Sequence, residues 1–99
     1  MNVTFDRAAK EDLIQIHDYI ASDLSSPEVA TRIVRSLLRR IDILRDFPLS
    51  GPELGDVSDE LTGYRLLVAS NYQIIYRTAK GEVIITRIVY ARMDYSRVF

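Results

Sequence analysis

The sequence predicts an α+β fold in which an N-terminal strand and an antiparallel helical hairpin pack on an antiparallel β-sheet, in the order β-α-α-β-β-β. Apolar residues recur every three or four positions between Ala9 and Leu44, which is the period of a helix. After Thr62 the apolar period changes to two, which is typical of strands. Because 99 residues is the length of a single domain, we expect one domain over residues 1–99.

The chain begins with a predicted strand and helix. Val3 and Phe5 alternate with polar neighbours, which predicts a short strand over residues 2–6. A helix is predicted over residues 7–22, where the apolar side chains form one stripe. Asp6 immediately precedes that helix and is a candidate N-cap.

A second helix is predicted over residues 27–46. Ser26 can cap it, and Pro27 suits its first position because the missing N–H has no partner there in any case. Only a few residues separate the two helices, so we expect an antiparallel hairpin. The two stripes that should be buried comprise Leu13, Ile16, Ile20, Ile33, Leu37, Ile41 and Leu44.

Three strands are predicted in the second half of the chain, near residues 63–69, 72–78 and 82–90. The connections between them are short, so neighbouring strands should be antiparallel. Residues 47–62 contain prolines and glycines and are interpreted as an ordered loop. From the sheet, the residues expected in the core are Ile74, Tyr76, Ile85 and Val89.

The composition disfavours several kinds of site. Cysteine is absent and His17 is the only histidine, so we expect no disulfide and no metal centre, and His17 is interpreted as structural. No phosphate-binding glycine loop or Gly-x-Ser-x-Gly motif is present, so no cofactor and no small-molecule substrate are expected. No signal peptide or bilayer-spanning apolar run is seen, which predicts a soluble cytoplasmic protein without a membrane partner.

Positive charge is unevenly distributed, although the formal net charge is only −1. Arginines cluster over residues 32–45 and again after Thr62, with acidic segments before and between them. In the C-terminal part, arginines alternate with tyrosines. Such a combination binds phosphates and bases, or packs in a protein interface, and composition by itself favours the interface.

Motifs in order along nearly the whole chain resemble the RelE/ParE superfamily of bacterial toxins. The motifs are Ala9-x-x-Asp12-Leu13-x-x-Ile16-x-x-Tyr19-Ile20, Phe47-Pro48-x-x-Gly51-Pro52, Tyr64-Arg65, Tyr72-x-Ile74-Ile75-Tyr76-Arg77 and Ile85-x-Arg87-Ile88-Val89-Tyr90-x-Arg92-x-Asp94. This resemblance implies the toxin of a type II toxin–antitoxin system, which inhibits growth, stabilises plasmids and is neutralised by a cognate antitoxin. The known fold of that superfamily agrees with the predicted topology.

The superfamily divides by target. RelE-type members are ribosome-dependent mRNA endonucleases that work without metal through basic residues on the sheet, whereas ParE-type members poison DNA gyrase. The resemblance places Arg65 and Arg92 at two of those basic positions, and Tyr95 would act as general acid or base or stack on a base. Leu67 and Gln73 stand at two others, and a neutral amide cannot balance the charge of a phosphorane.

The ParE branch is therefore favoured, with a gyrase inhibitor that acts by binding. The alternatives are a ribosome-dependent endoribonuclease and a toxin-fold protein that has lost its toxicity.

A cognate antitoxin is the expected partner. Antitoxins of this superfamily typically wrap the toxin with a disordered, often acidic segment that folds on binding. Exposed apolar residues at the end of the chain and a basic sheet surface would suit such a segment. The residues expected to bind it are Arg77, Arg87, Arg97, Val98 and Phe99.

Overall fold

The computed structural model describes residues 1–55 and 62–91, which form two helices on one face of a four-stranded sheet. The strands are β1 (Asn2–Phe5), β2 (Tyr64–Ala69), β3 (Tyr72–Ala79) and β4 (Glu82–Tyr90). The helices are α1 (Arg7–Asp18) and α2 (Pro27–Asp42). The predicted order of elements, β-α-α-β-β-β, is confirmed.

The sheet is mixed, whereas an antiparallel sheet was predicted. Its strand order is β1-β4-β3-β2, and both β2–β3 and β3–β4 are antiparallel. β1 pairs in parallel with β4, from Asn2 opposite Glu82 to Phe5 opposite Ile85. Short turns force β2, β3 and β4 to alternate in direction, but β1 reaches β4 only through the long helical connection, so turn geometry does not determine its direction.

Each α-helix is followed by a short segment of a different helical type. Residues Tyr19–Asp23 form a π-helical segment after α1, and Ile43–Arg45 form a 3₁₀ turn after α2. Asp6 and Ser26 occupy the N-cap positions, and Pro27 begins α2 as predicted. Within the described residues, neither side chain makes the capping hydrogen bond that was expected. Asp6 and Ser26 therefore mark where the helices begin, but the prediction that their side chains cap them is wrong.

The main core lies between the helices and the sheet. Leu37, Ile41 and Leu44 pack from α2 and its 3₁₀ turn against Tyr76 and Ile85 of the sheet, and all five are at most 2% exposed. Ile20 and Ile74 are also buried, as predicted. The predicted core residues that are only half-buried at its margin are Leu13, Ile16 and Ile33.

A second, smaller cluster lies on the opposite face of the sheet. Leu54 from the loop packs there against Ile75 and Val89, with Tyr64 and Leu66 at its margin. Val89 is therefore buried as predicted, but in this cluster rather than beneath the helices. Side chains of a strand alternate between the two faces, which explains why Ile74 and Ile75 belong to different clusters.

The described part of the loop pairs with the outer edge of β2. The Leu54 amide donates to the Tyr64 carbonyl at 2.9 Å, and the Leu66 amide donates to the Pro52 carbonyl at 3.0 Å. The Gly51 amide donates to the Tyr76 hydroxyl at 3.0 Å. The two bonds to Tyr64 and Leu66 satisfy edge groups of β2 that would otherwise be open to pairing with another chain.

Candidate functional site

A buried ion pair holds α1 against β4. Arg87 Nε donates to Asp12 Oδ2 at 2.8 Å, and Arg87 Nη2 donates to Asp12 Oδ1 at 2.9 Å, which is the bidentate geometry of a strong pair. The Ile88 amide donates to Asp12 Oδ2 at 2.8 Å. Asp12 is only 7% exposed, and its side-chain hydrogen bond raises the pKa of Arg87 above its ordinary value.

The ion pair occurs where β4 loses its parallel neighbour. β1 pairs with β4 only as far as Ile85, and among residues 1–55 and 62–91 no strand pairs with this edge of β4 beyond that residue. One extra residue in β4, Thr86, forms a bulge between the pairs Ile75–Arg87 and Tyr76–Ile85. Asp12 accepts from the Ile88 amide and so replaces the missing strand at this edge.

An apolar groove opens next to this ion pair, between the tip of the helical hairpin and the ends of β3 and β4. Its volume is about 770 Å³. Asp12, Arg87 and Asn71 are among its polar lining residues. The apolar residues that line it are Ile16, Tyr19, Ile20, Leu24, Val29, Ile33, Tyr72, Ile88, Val89 and Tyr90.

Three tyrosines meet at the groove. The Tyr72 and Tyr90 rings are in edge-to-face contact, with centroids 5.9 Å apart. Burial, together with the neighbouring Tyr90 and Tyr19, raises the pKa of Tyr72 above its ordinary value. Tyr19 lies in the π-helical segment and is 55% exposed, Leu24 is 57% exposed and Tyr90 is 47% exposed. A contiguous aromatic and apolar surface of this kind is typical of a site where another protein binds.

Arg65 holds the loop in place. Its Nη1 donates to the Gly51 carbonyl at 2.7 Å and to the Leu49 carbonyl at 3.2 Å, and its Nη2 contacts Glu53 Oε1 at 3.2 Å. Gln73 is on β3, and its Oε1 is buried without a hydrogen-bond partner in the described part of the chain. Arg65 therefore has a structural role whether or not it has a catalytic one.

The remaining predicted site residues divide into two groups. Arg77 is half-buried on β3, opposite Tyr64 and Ile84, and Arg87 is held by Asp12. Their binding to a partner stays a prediction. The residues that lie outside the described part of the chain are Arg92, Tyr95, Arg97, Val98 and Phe99.

Sequence reasoning missed the groove and the role of Asp12. Asp12 lies three residues after Ala9 and four before Ile16, which places a carboxylate on the buried side of α1. A buried carboxylate is stable only when a cation or hydrogen-bond donors pair with it, so the position of Asp12 in the sequence indicated that such a partner must exist. Tyr19 and Leu24 were visible as apolar residues off the main stripe, but no sequence pattern indicates that they border one groove with Tyr90.

The described residues contain no candidate metal site and no candidate membrane-spanning helix. Among residues 1–55 and 62–91, no three His, Asp or Glu side chains lie close enough together to hold a metal ion. In the same ranges, no helix combines the length and the apolar character needed to cross a bilayer.

Comparison with known proteins gives one family and several structures. A family model described as the ParE toxin of the type II toxin–antitoxin system parDE matches residues 3–95. The chromosomal ParDE system from P. aeruginosa contains a chain 26% identical to this one, with a TM-score of 0.79, covering 93% of this chain and 97% of that chain. No curated protein matches the chain significantly.

Two further solved structures are similar in fold. The toxin–antitoxin complex RelBE2 from Mycobacterium tuberculosis has a chain with a TM-score of 0.68 and 22% identity, covering 90% of this chain and 95% of that chain. The YoeB/ParE toxin from Agrobacterium tumefaciens has a TM-score of 0.61 and 16% identity, covering 91% of this chain and 98% of that chain.

Proposed function

The chain belongs to the ParE toxin family of type II toxin–antitoxin systems, and from that premise we propose that it inhibits growth by binding DNA gyrase. DNA gyrase is the target that the resemblance to the ParE branch implies. A cognate antitoxin neutralises the toxin by occupying the apolar groove. The observation that most supports action by binding is this groove of about 770 Å³ with its exposed aromatic rim.

The residues at the nuclease positions support binding over RNA cleavage. A metal-independent nuclease needs several cations free to approach one phosphate. Arg65 already binds two loop carbonyls and Glu53, and Gln73 is neutral. The Arg65 guanidinium would therefore have to break its hydrogen bonds to the loop before it could bind a phosphate.

The groove suits an amphipathic segment of an antitoxin. Its walls are mostly aliphatic and aromatic, so the apolar side of a helix or extended peptide would be buried there. Tyr19, Leu24 and Tyr90 at its rim are each about half exposed in the chain alone, and a bound segment would remove that apolar surface from water. The similar chain from P. aeruginosa comes from a structure of a chromosomal ParDE toxin–antitoxin system, which supports an antitoxin as the partner.

The target is tested by expression and by enzyme assay. The gene should arrest growth of a bacterial host when it is induced, and the purified chain should inhibit ATP-dependent supercoiling of a relaxed plasmid by DNA gyrase. Primer extension on cellular mRNA in the same cells should show no new cleavage sites. Cleaved mRNA together with normal supercoiling would establish the endoribonuclease instead.

The groove is tested with two substitutions of the same kind. Leu24→Glu places a charge at the rim, whereas Ile14→Glu places one at a similarly exposed site that does not line the groove. Binding to the antitoxin encoded by the adjacent gene should weaken more than tenfold for Leu24→Glu and stay unchanged for Ile14→Glu. Equal affinities for the two variants would rule out the groove as the antitoxin site while leaving the gyrase assay unaffected.

A further inference from the structure

The outer face of α2 carries three arginines at helical spacing. Arg32, Arg35 and Arg39 are separated by three and four residues, so they lie on one side of the helix. All three are exposed. Leu37 and Ile41 are buried on the opposite side of α2, so the three arginines face away from the sheet. We refer to Arg32, Arg35 and Arg39 as the arginine face.

In the described part of the chain, no ion pair neutralises the charge of the arginine face. Within residues 1–55 and 62–91, none of the three guanidinium groups makes a hydrogen bond or an ion pair. Of the two carboxylates of α2, Glu28 lies four residues before Arg32 on the same side of the helix but forms no ion pair in the described residues, and Asp42 pairs with Arg45. Like charges three or four residues apart destabilise a helix, so this arrangement lowers the stability of α2 and fits an anionic partner.

We propose that the arginine face binds the phosphate backbone of a nucleic acid duplex. Seven residues of helix separate Arg32 from Arg39, which is about 10 Å at about 1.5 Å per residue. A DNA duplex carries about one phosphate per 1.7 Å of axis when both strands are counted, so several phosphates lie within this length. Arginine also binds phosphate oxygens through two parallel N–H groups, which favours it over lysine for this purpose.

The composition of α2 favours a duplex over a single strand or an acidic protein. Single-stranded nucleic acids are bound by aromatic side chains that stack on bases, and α2 has no aromatic residue. Protein interfaces have an apolar centre, whereas the exposed residues that flank Arg35 and Arg39 on this face are Ser36 and a single apolar residue, Leu38. Contacts to a duplex backbone need neither feature.

The arginine face is separate from the antitoxin groove. The groove is lined from α2 by Val29 and Ile33, near the buried side of the helix, and contains none of the three arginines. A chain with an occupied groove would still present the arginine face to a duplex. The proposal therefore does not depend on the gyrase assay or on the identity of the antitoxin.

The test is the salt dependence of binding to a short, fluorescently labelled DNA duplex. Anisotropy measured with the full-length chain between about 50 and 200 mM salt gives the slope of log K against log salt concentration. In the variant R32Q/R35Q/R39Q the slope should become shallower by about 2.7, since each lost phosphate contact accounts for about 0.9. The affinity should fall roughly tenfold or more at about 0.1 M salt.

Two matched variants make the result specific. Arg7→Gln, Lys10→Gln and Lys80→Gln together remove the same charge from exposed positions outside α2, and this variant should keep the wild-type slope. The variant R32K/R35K/R39K keeps the charge and should also keep the slope. Thermal unfolding should show that R32Q/R35Q/R39Q is at least as stable as the wild type, because repulsion within α2 has been removed.

Two results would overturn the proposal. The first is an equal change of slope in R32Q/R35Q/R39Q and in the control that lacks Arg7, Lys10 and Lys80. The second is tighter binding of the wild-type chain to polyglutamate than to the duplex at the same ionic strength, which would identify an acidic protein as the partner.

Discussion

At the scale of single residues, the carboxylate of Asp12 connects α1 to the sheet. It accepts three hydrogen bonds, two from the Arg87 guanidinium and one from the Ile88 amide. Asp12 is 7% exposed, so little water is available to replace a lost partner. Removing one member of a buried pair leaves the other charged and incompletely solvated, which is the main cost of breaking such a pair.

Asp12→Ala should therefore be strongly destabilising. We expect the free energy of unfolding to fall by about 3 kcal/mol, at the low end for a buried pair because the Arg87 side chain is 28% exposed. Urea unfolding at neutral pH measures the change. The control is Asp18→Ala, also in α1, where the carboxylate is exposed and pairs with the neighbouring His17. A loss for Asp12→Ala that is no larger than for Asp18→Ala would contradict this role.

Gly51 is a loop residue whose backbone lies close against β2. A Cβ at this position would lie 2.3 Å from the Leu66 carbonyl oxygen and 3.0 Å from the Tyr76 hydroxyl. Leu66 is part of a paired strand, so its backbone cannot move without breaking the sheet. Only glycine allows the loop to contact β2 at this distance.

Gly51→Ala should release the loop from the edge of β2. We expect a loss of about 1–3 kcal/mol in the free energy of unfolding, as for other overpacked sites. Gly55→Ala is the matched control, because its Cβ would meet Thr62 only at 3.5 Å. Chemical denaturation of both variants provides the comparison, and similar stabilities would show that the loop is able to shift.

At the scale of secondary structure elements, α2 buries one face and exposes the other. Leu37 is 1% exposed and packs against the sheet, whereas Leu38, the next residue, is 40% exposed. The arginine face lies opposite the buried side. A helix whose apolar stripe determines its orientation can present charged residues to solvent without disturbing the core.

Leu37→Ala should cost about 2–5 kcal/mol, because it removes a fully buried side chain and leaves a cavity beneath α2. Leu38→Ala should cost less than about 1 kcal/mol, because half-exposed side chains contribute less packing. Equilibrium unfolding of the two variants checks the orientation of the helix. A larger loss for Leu38→Ala would mean that α2 is rotated relative to the described structure.

At the scale of the whole molecule, the described residues leave a groove between the end of the helical hairpin and the ends of β3 and β4. β1 ends at Phe5, and in the described part of the chain Asp12 rather than a strand borders this edge of β4 beyond Ile85. The end of the hairpin, with Tyr19 and Leu24, lies over this part of the sheet. The described residues thus bury a core while an apolar surface lines the groove.

Binding of the antitoxin should stabilise the toxin measurably. A ligand present at about 100 times its dissociation constant adds about 2.7 kcal/mol to the free energy of unfolding. For a domain of this size that corresponds to a rise of about 10–20 °C in Tm. Differential scanning fluorimetry with the protein encoded beside this gene measures the shift, and Leu24→Glu should reduce it. An unchanged Tm would exclude tight binding by that protein.

The sequence by itself determined the order of elements, the buried stripe of α2 and the family. Apolar periodicity is a local property, so Leu37, Ile41 and Leu44 were predicted to be buried and are. The three strands from Tyr64 onward were predicted within one residue of their observed ends because short turns and β-branched residues mark them.

Only the tertiary structure decided the direction of β1, the partner of Asp12 and the shape of the groove. Each depends on residues far apart in the chain: β1 pairs with β4 across the whole helical hairpin, and Asp12 meets Arg87 seventy-five positions later. Periodicity gives the side of an element that is buried, but not which distant element covers it. That choice depends on how all elements pack at once, because a groove forms only where two of them diverge.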